Sequence, residues 1–451
     1  MSDLVQSPDA ALWWRPDHTG TDHTGTDAVA IRTPASRLAF GALVAFTGIL
    51  LLSPQIWFPI LGTLRIAFVA AGVAIAAHLL HCLGRHQPVT PFFPEIGIAF
   101  ALVCWSVITI PVSYWPGGSL EVLTDHYLKA VAFFWLIGTV VTTTSRLRVL
   151  AWAFVLCAVP LAATGVSHYF SGVFMSTGVP GLQRIHGYDG GSGLVGNPND
   201  LALTLNLIIP IAAALMLSAR STAGRWLAAS AVLLSAGAVI LTFSRAGFLT
   251  LATTSVMFGL WLLRHQAPGK AAVLLLAGLC AIPWLPQGYM DRLGTITDIE
   301  ADRTGSAEGR WRDYQVAVGV VARNPILGAG IGQDILAMNQ SRGGDWVSVH
   351  NAFLEYAVDL GLPGLVLFVW LYLTSLRSAR AVERRSARDA SSRDLVHLAA
   401  GVQIALIGFG VAAFFHPIAY QFYFFSIGGL AVALKHTYLT EHAPALAAET
   451  H

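Results

Sequence analysis

Arg245 is the most informative residue for chemistry in this chain of 451 residues. It stands in Leu241-Thr242-Phe243-Ser244-Arg245-Ala246-Gly247, between apolar runs at 225–243 and 246–263 that are each long enough to cross a bilayer. Only Ser244 and Arg245 separate the two runs, so the hairpin tip sits at a membrane surface. A guanidinium partly removed from water there wants an anion. Two readings are open: it snorkels to lipid phosphate, or its planar fork grips a phosphate on a membrane-bound substrate.

His350 lies in Val349-His350-Asn351-Ala352-Phe353-Leu354-Glu355, at the start of another apolar run. Asn351 suits a helix N-cap, which puts His350 at a helix N-terminus, where an imidazole pKa tends to fall. A neutral imidazole at the membrane surface suits removal of a proton from a sugar hydroxyl; a purely structural histidine is the competing reading. In Gly309-Arg310-Trp311-Arg312-Asp313-Tyr314, two arginines flank a tryptophan. They suit a second phosphate clamp with a ring for sugar stacking, or ion pairs with Glu308 and Asp313. Arg184 with His186, and Asn197 with Asn199, belong to a glycine-rich connection and are expected to line the same cavity. Glu355 and Asp359 complement the helix dipole, and Glu355 is expected to pair with an outer arginine or to orient His350.

Other motifs are weaker. Asn324-Pro325-Ile326-Leu327-Gly328-Ala329-Gly330-Ile331-Gly332 is glycine-rich, but no Lys follows and no βαβ context exists, which argues against a nucleotide loop. Glu121, Asp125 and Lys129 share a helix face and suit an ion pair. His78 and His81 have no carboxylate partner. Cys82, Cys104, Cys157 and Cys280 lie in apolar runs at unrelated spacings, which excludes a disulfide framework and a cysteine-based zinc site. No metal or other cofactor is expected.

The elements that must carry these residues follow from composition. Hydrophobic residues make up 55% of the chain and charged residues 12%, with mean hydropathy +0.62. A soluble fold cannot hide that much apolar surface. The net charge of +2 gives no field for nucleic acid. An all-α polytopic membrane protein remains. Twelve apolar runs approach the spanning length: 38–53, 62–83, 95–112, 122–141, 149–170, 199–219, 225–243, 246–263, 270–286, 353–376, 395–415 and 418–435.

An N-terminus in the cytoplasm places Arg37, Arg85, Arg146, Arg148, Arg220, Arg225, Arg264, Lys270, the basic loop 377–393 and Lys435 on the inner side. The expected organisation is a disordered cytoplasmic tail at 1–37, helices 1–9 across 38–286, a folded periplasmic segment at 287–352, helices 10–12 across 353–435, and a cytoplasmic tail at 436–451. The first tail holds a tandem repeat, Asp17-His18-Thr19-Gly20-Thr21 and Asp22-His23-Thr24-Gly25-Thr26, which reads as a solvated segment.

The ordered set of Gly196-Asn197-Pro198-Asn199, Ser244-Arg245, Gly309-Arg310 with Trp311, Pro325 with Gly328-Ala329-Gly330, and His350-Asn351 with Leu354 and Gly361 resembles the O-antigen ligase and O-antigen polymerase superfamily of bacterial envelope enzymes. The likeness spans roughly 38–435. It implies a metal-independent, inverting glycosyltransferase of the inner membrane with its active site on the periplasmic face. The implied partners are an undecaprenyl diphosphate-linked glycan donor, an acceptor that is lipid A–core for a ligase or another carrier-linked glycan for a polymerase, and membrane lipids; nucleic acid is not among them. By this resemblance His350 is the candidate base, Arg245 and Arg310 bind the diphosphate, and Arg312, Asn351, Glu355, Arg184, Asn197 and Asn199 are supporting candidates. The rival from another class is a transporter, which should carry ionisable groups near helix midpoints or matching broken helices. Neither stands out in the sequence.

Overall fold

The structure is a computed structural model that describes residues 35–175, 183–188, 196–286, 288–294, 306–343, 346–389 and 392–448. The tandem His repeat lies outside them. The described chain is helical: α1 (Arg37–Leu52), α2 (Ile66–Gly84), α3 (Pro94–Thr109), α4 (Leu128–Val140), α5 (Thr144–Ser171), α6 (Pro198–Ser218), α7 (Thr222–Leu241), α8 (Arg245–Arg264), α9 (Pro268–Ala281), α10 (Ser306–Arg323), α11 (Asp334–Arg342), α12 (Ala352–Ser386), α13 (Arg393–Ala413) and α14 (Phe422–Ala448). Each of the twelve apolar runs falls on a helix of this series.

Among the described residues, eight helices are long and apolar enough to cross a membrane: α2, α3 with the turn after it, α5, α6, α7, α8, α12 and α13. Two apolar helices, Arg37–Leu52 and Pro268–Trp284, are shorter. The run at 122–141 begins in a π-helical turn, Leu123–Tyr127, that precedes α4, and the run at 418–435 becomes helical only at Phe422.

Local sequence sets the helix starts. Side chains of Ser36, Thr143, Asn197, Ser221, Ser244 and Asn351 accept from main-chain N–H groups in the first turns of α1, α5, α6, α7, α8 and α12. Proline opens α3, α6 and α9, where its missing N–H costs nothing. Helix α6 is the enclosed centre, buried without interruption from Leu201 to Leu215. Small residues let its neighbours approach: a Cβ on Gly247 of α8 would lie 2.7 Å from the Ala202 methyl.

The glycine-rich loop 325–332 has a structural task. Helix α12 breaks at Gly361, which has φ +68°. The break frees carbonyls, and the loop fills them: Ala329 and Gly330 donate to the Val358 and Asp359 carbonyls at 2.8 Å each, while Leu362 N–H donates to the Pro325 carbonyl at 2.8 Å. Trp105 Nε1 covers the Leu360 carbonyl at 2.8 Å. A Cβ on Gly328 would lie 2.4 Å from the Asp359 carbonyl oxygen, so only glycine fits. Irregular backbone at this depth is sustained because protein groups pair it.

Connections alternate between two ends of the bundle. One end gathers the turn at 110–115, the described parts of 172–197, the 242–244 hairpin, the segment leading into α12 and the 414–421 turn, joined by bonds such as Arg184 to the Thr242 carbonyl and Tyr314 to the Phe414 carbonyl. The other gathers 85–93, 141–143, 219–221 and the described parts of 387–392. There Arg148 and Arg220 both meet Asp394, at 2.7 and 3.0 Å. Lys435 gains a partner that the sequence reading did not name. It is 1% exposed and 3.1 Å from Glu95, whose carboxylate also accepts from Ser378. Asp125 and Lys129 form the ion pair that their spacing suggests, at 3.3 Å.

Candidate functional site

The Ser244-Arg245 hairpin is held in a frame of amides. Asn197 caps α6, its Oδ1 accepting from Asn199 and Asp200 N–H at 2.9 and 3.0 Å. This fixes Asn199, whose Oδ1 accepts from Arg184 Nη2 and from Ser244 Oγ, both at 2.8 Å. Arg184 Nε donates to the Thr242 carbonyl at 3.0 Å, and Ser244 Oγ in turn accepts from Gly247 N–H at 3.1 Å. Arg245 is thereby set, half-buried, as the first residue of α8. The buried Tyr289 ring packs on Phe243, with centroids 5.4 Å apart. Arg184, Asn197 and Asn199 therefore converge on the hairpin, and their visible task is to position it.

A second group surrounds His350. Its Nδ1 lies 3.1 Å from the Ser348 carbonyl. A carbonyl only accepts, so Nδ1 carries the hydrogen and Nε2 presents its lone pair. Asn351 caps α12, accepting from Phe353 and Leu354 N–H at 2.9 and 3.1 Å. Asp334 Oδ2 accepts from Val349 N–H at 2.9 Å, fixing the residue before the histidine. Tyr314 of α10 places its hydroxyl 3.3 Å from the His350 carbonyl and also against the Phe414 carbonyl. Burial, then the nearby Arg310 charge, lower the His350 pKa; Asp313 opposes them. Asp313 itself is pushed up by burial, against the pull of Arg342, which it meets at 2.6 Å.

Of the two readings open for Arg310 and Arg312, the structure shows the ion pair with Glu308 for Arg312. Residues two apart on a helix diverge by about 200°, and Arg312 turns to Glu308 at 3.5 Å, both side chains well exposed. Trp311 is 64% exposed. Arg310 lies within electrostatic reach of His350, Asp313 and Tyr314, while Arg342 reaches His350 and Asp313 and Arg312 reaches Asp313. Glu355 is a correction to the sequence reading. It neither orients His350 nor meets an outer arginine; its Oε2 accepts from Ala419 N–H at 3.0 Å.

Sequence reading missed His416. It follows α13, is 3% exposed, and stands within electrostatic reach of both Arg310 and His350, with the Asn199 backbone beside it. It joins the hairpin frame to the His350 group. Its signal was its position: the turn after α13 falls, by alternation, at the same end as Arg245. Among the described residues, no cluster of three or more His, Cys, Asp or Glu is arranged to hold a metal.

With this geometry in place, comparison with known families is specific. Residues 230–369 match the family described as O-antigen ligase. This places the chain's likeness in the O-antigen ligase and polymerase superfamily. The matched stretch runs from within α7 to within α12 and holds Arg245, Arg310, Arg312, His350, Asn351 and Glu355. Arg184, Asn197, Asn199 and His416 lie outside it. No curated protein matches the chain.

Proposed function

We propose that the protein is a membrane-embedded glycosyltransferase that moves a glycan from undecaprenyl diphosphate to a sugar hydroxyl on the periplasmic face. The observation that carries this is the pairing of a lone-pair-bearing His350 Nε2 with the Arg310 charge, at the same bundle end as the framed Arg245. In the reaction, Nε2 of His350 takes the proton of the acceptor hydroxyl. The freed oxygen attacks the anomeric carbon from the side opposite the diphosphate, and the bond from that carbon to the diphosphate oxygen breaks. The leaving diphosphate gains charge, which Arg245 and Arg310 neutralise. Configuration inverts, and no metal is required because the leaving group is good and the arginines supply the positive charge.

The family match supports this ligase or polymerase type of function; our first reading is a ligase acting on lipid A–core, and the alternative is a polymerase that extends O-antigen or exopolysaccharide repeats. We place twelve crossings in the bacterial inner membrane, with both termini cytoplasmic and 287–352 periplasmic, on the Lys and Arg distribution. A transporter is less well supported. The buried Glu95–Lys435 pair is the type of group it would use, but each partner is already engaged by the other, at the end away from His350.

The testing experiment is a deletion strain examined for its surface glycan. Long chains stranded on the lipid carrier indicate ligase loss, and single unpolymerised repeats indicate polymerase loss. An unchanged surface and carrier-linked glycan profile would remove the proposal.

A further inference from the structure

Helix α12 carries a stripe of exposed side chains that the glycosyl-transfer reading does not use. After the Gly361 break, Val366, Trp370 and Leu373 stand exposed, and Arg377, Arg380 and Arg384 follow, also exposed. Steps of three and four residues keep all six within about 80° of one another around the axis. One face of the helix therefore changes from apolar to cationic without turning. The change is abrupt. Arg377 lies one turn beyond Leu373, about 6 Å along the axis, and hydrocarbon gives way to headgroups over roughly 5–8 Å in each leaflet. The opposite face holds this stretch in place. Ser378, Ala379, Val382, Glu383 and Ser386 are buried. Ser378 donates to Glu95, and Glu383 accepts from Trp261 Nε1 at 2.7 Å. The acids at this end are engaged elsewhere: Asp394 by Arg148 and Arg220, Glu383 by Trp261 and His265, Glu441 by Thr144. Among the described residues, none of the three stripe arginines forms an ion pair.

We propose that this stripe binds anionic phospholipid headgroups in preference to zwitterionic ones. The guanidinium forks of Arg377, Arg380 and Arg384 take lipid phosphate, while Val366, Trp370 and Leu373 lie along the acyl chains. Charge complementarity selects the occupant. Three positive charges without acidic partners call for negative charge, and their continuity with an apolar face calls for an anion that carries a hydrocarbon tail. Arginine suits such a border, because its stem lies along apolar surface while its head reaches phosphate with two parallel N–H donors. Near an anionic leaflet each such charge favours binding by about fivefold. The inference does not depend on glycosyl transfer; it needs only that α12 crosses the membrane, as its length and composition allow.

The test uses the purified full-length protein in mild detergent, with chain-labelled phosphatidylglycerol and phosphatidylcholine as probes and fluorescence anisotropy as the readout. Wild type should bind phosphatidylglycerol about tenfold or more tightly than phosphatidylcholine. That preference should shrink as salt rises, because exposed charges are screened. The triple variant Arg377→Gln, Arg380→Gln, Arg384→Gln should lose about tenfold or more in phosphatidylglycerol affinity and leave phosphatidylcholine affinity within about threefold. A control triple, Arg85→Gln, Arg225→Gln, Arg264→Gln, removes as many exposed charges from the same end. It should stay within about threefold of wild type for both lipids. Thermal melting checks the folding of each variant, and the wild-type preference and its salt dependence test the proposal without any variant. Equal affinity of wild type for the two lipids overturns it, as does a preference that salt leaves unchanged, or an equal loss in both triples. Displacement of the lipid by millimolar inorganic phosphate overturns it in favour of a soluble anion. A wild-type dimer that separates in the stripe variant overturns it in favour of a second copy of the chain.

Discussion

The two ends of the helical bundle spend their carboxylates differently. Away from His350, acids meet other side chains. Asp394 takes Arg148 and Arg220, Glu95 takes Lys435 and Ser378, and Glu383 accepts from Trp261 Nε1 at 2.7 Å with His265 3.8 Å away. At the His350 end, Asp334, Glu355 and Asp359 accept instead from main-chain N–H of Val349, Ala419 and Gly332. Ion pairs are also present there, Asp313 with Arg342 and the exposed Glu308 with Arg312. The first arrangement ties helices to one another. The second fixes short irregular segments that present histidines, and it leaves those three carboxylates engaged by backbone rather than by Arg245 or Arg310. Charge used between helices builds the bundle; charge used on loops builds a site.

That contrast breaks most visibly at Glu95. Glu95→Ala strands a buried ammonium and should cost about 3–5 kcal/mol of stability, read as a fall in the melting temperature of the purified protein, while transfer per folded molecule stays near wild type. Asp334→Asn probes the other end. It keeps the side-chain shape but weakens the charged bond to Val349 N–H, and should slow transfer about tenfold with a small change in melting.

A pH profile sharpens the contrast further. His350 acts only when neutral, and burial with Arg310 lowers its pKa from the ordinary 6.5. Transfer should therefore be flat through neutrality and fall on the acid side with a midpoint below 6.5; a midpoint above that value contradicts the assigned surroundings. The smallest expected effect is that of EDTA. Arginines supply the positive charge, so treatment of the purified enzyme should leave the rate unchanged, and restoration of a lost rate by a divalent ion would refute the metal-free scheme.

Much of this was legible in the sequence, for local reasons. Ser244 and Arg245 were the only polar break between two apolar runs, and Asn351 had the form of an N-cap, so both elements were placed correctly. For Arg312 the sequence left a clamp and an ion pair with Glu308 both open; the ion pair is seen, because neighbours two apart leave a helix on opposite sides. Helix α12 continues to Ser386, beyond the apolar run that ends near 376, because hydropathy reports the membrane and not helicity. Glu95 and Lys435 are 340 residues apart and carry no local sign of meeting. His416 sits between Phe415 and Pro417 in an apolar setting, and only the three-dimensional turn discloses its company.

The most direct test of the central claim compares His350→Ala and Arg245→Ala in donor binding and transfer, using purified lipid-linked glycan and variants that melt like wild type. The account predicts that His350→Ala loses about 10²–10⁴-fold in transfer rate with donor affinity retained, since the imidazole acts on the acceptor. It predicts that Arg245→Ala weakens donor binding as well, because the phosphate contact precedes reaction. Near-wild-type transfer by His350→Ala would contradict it.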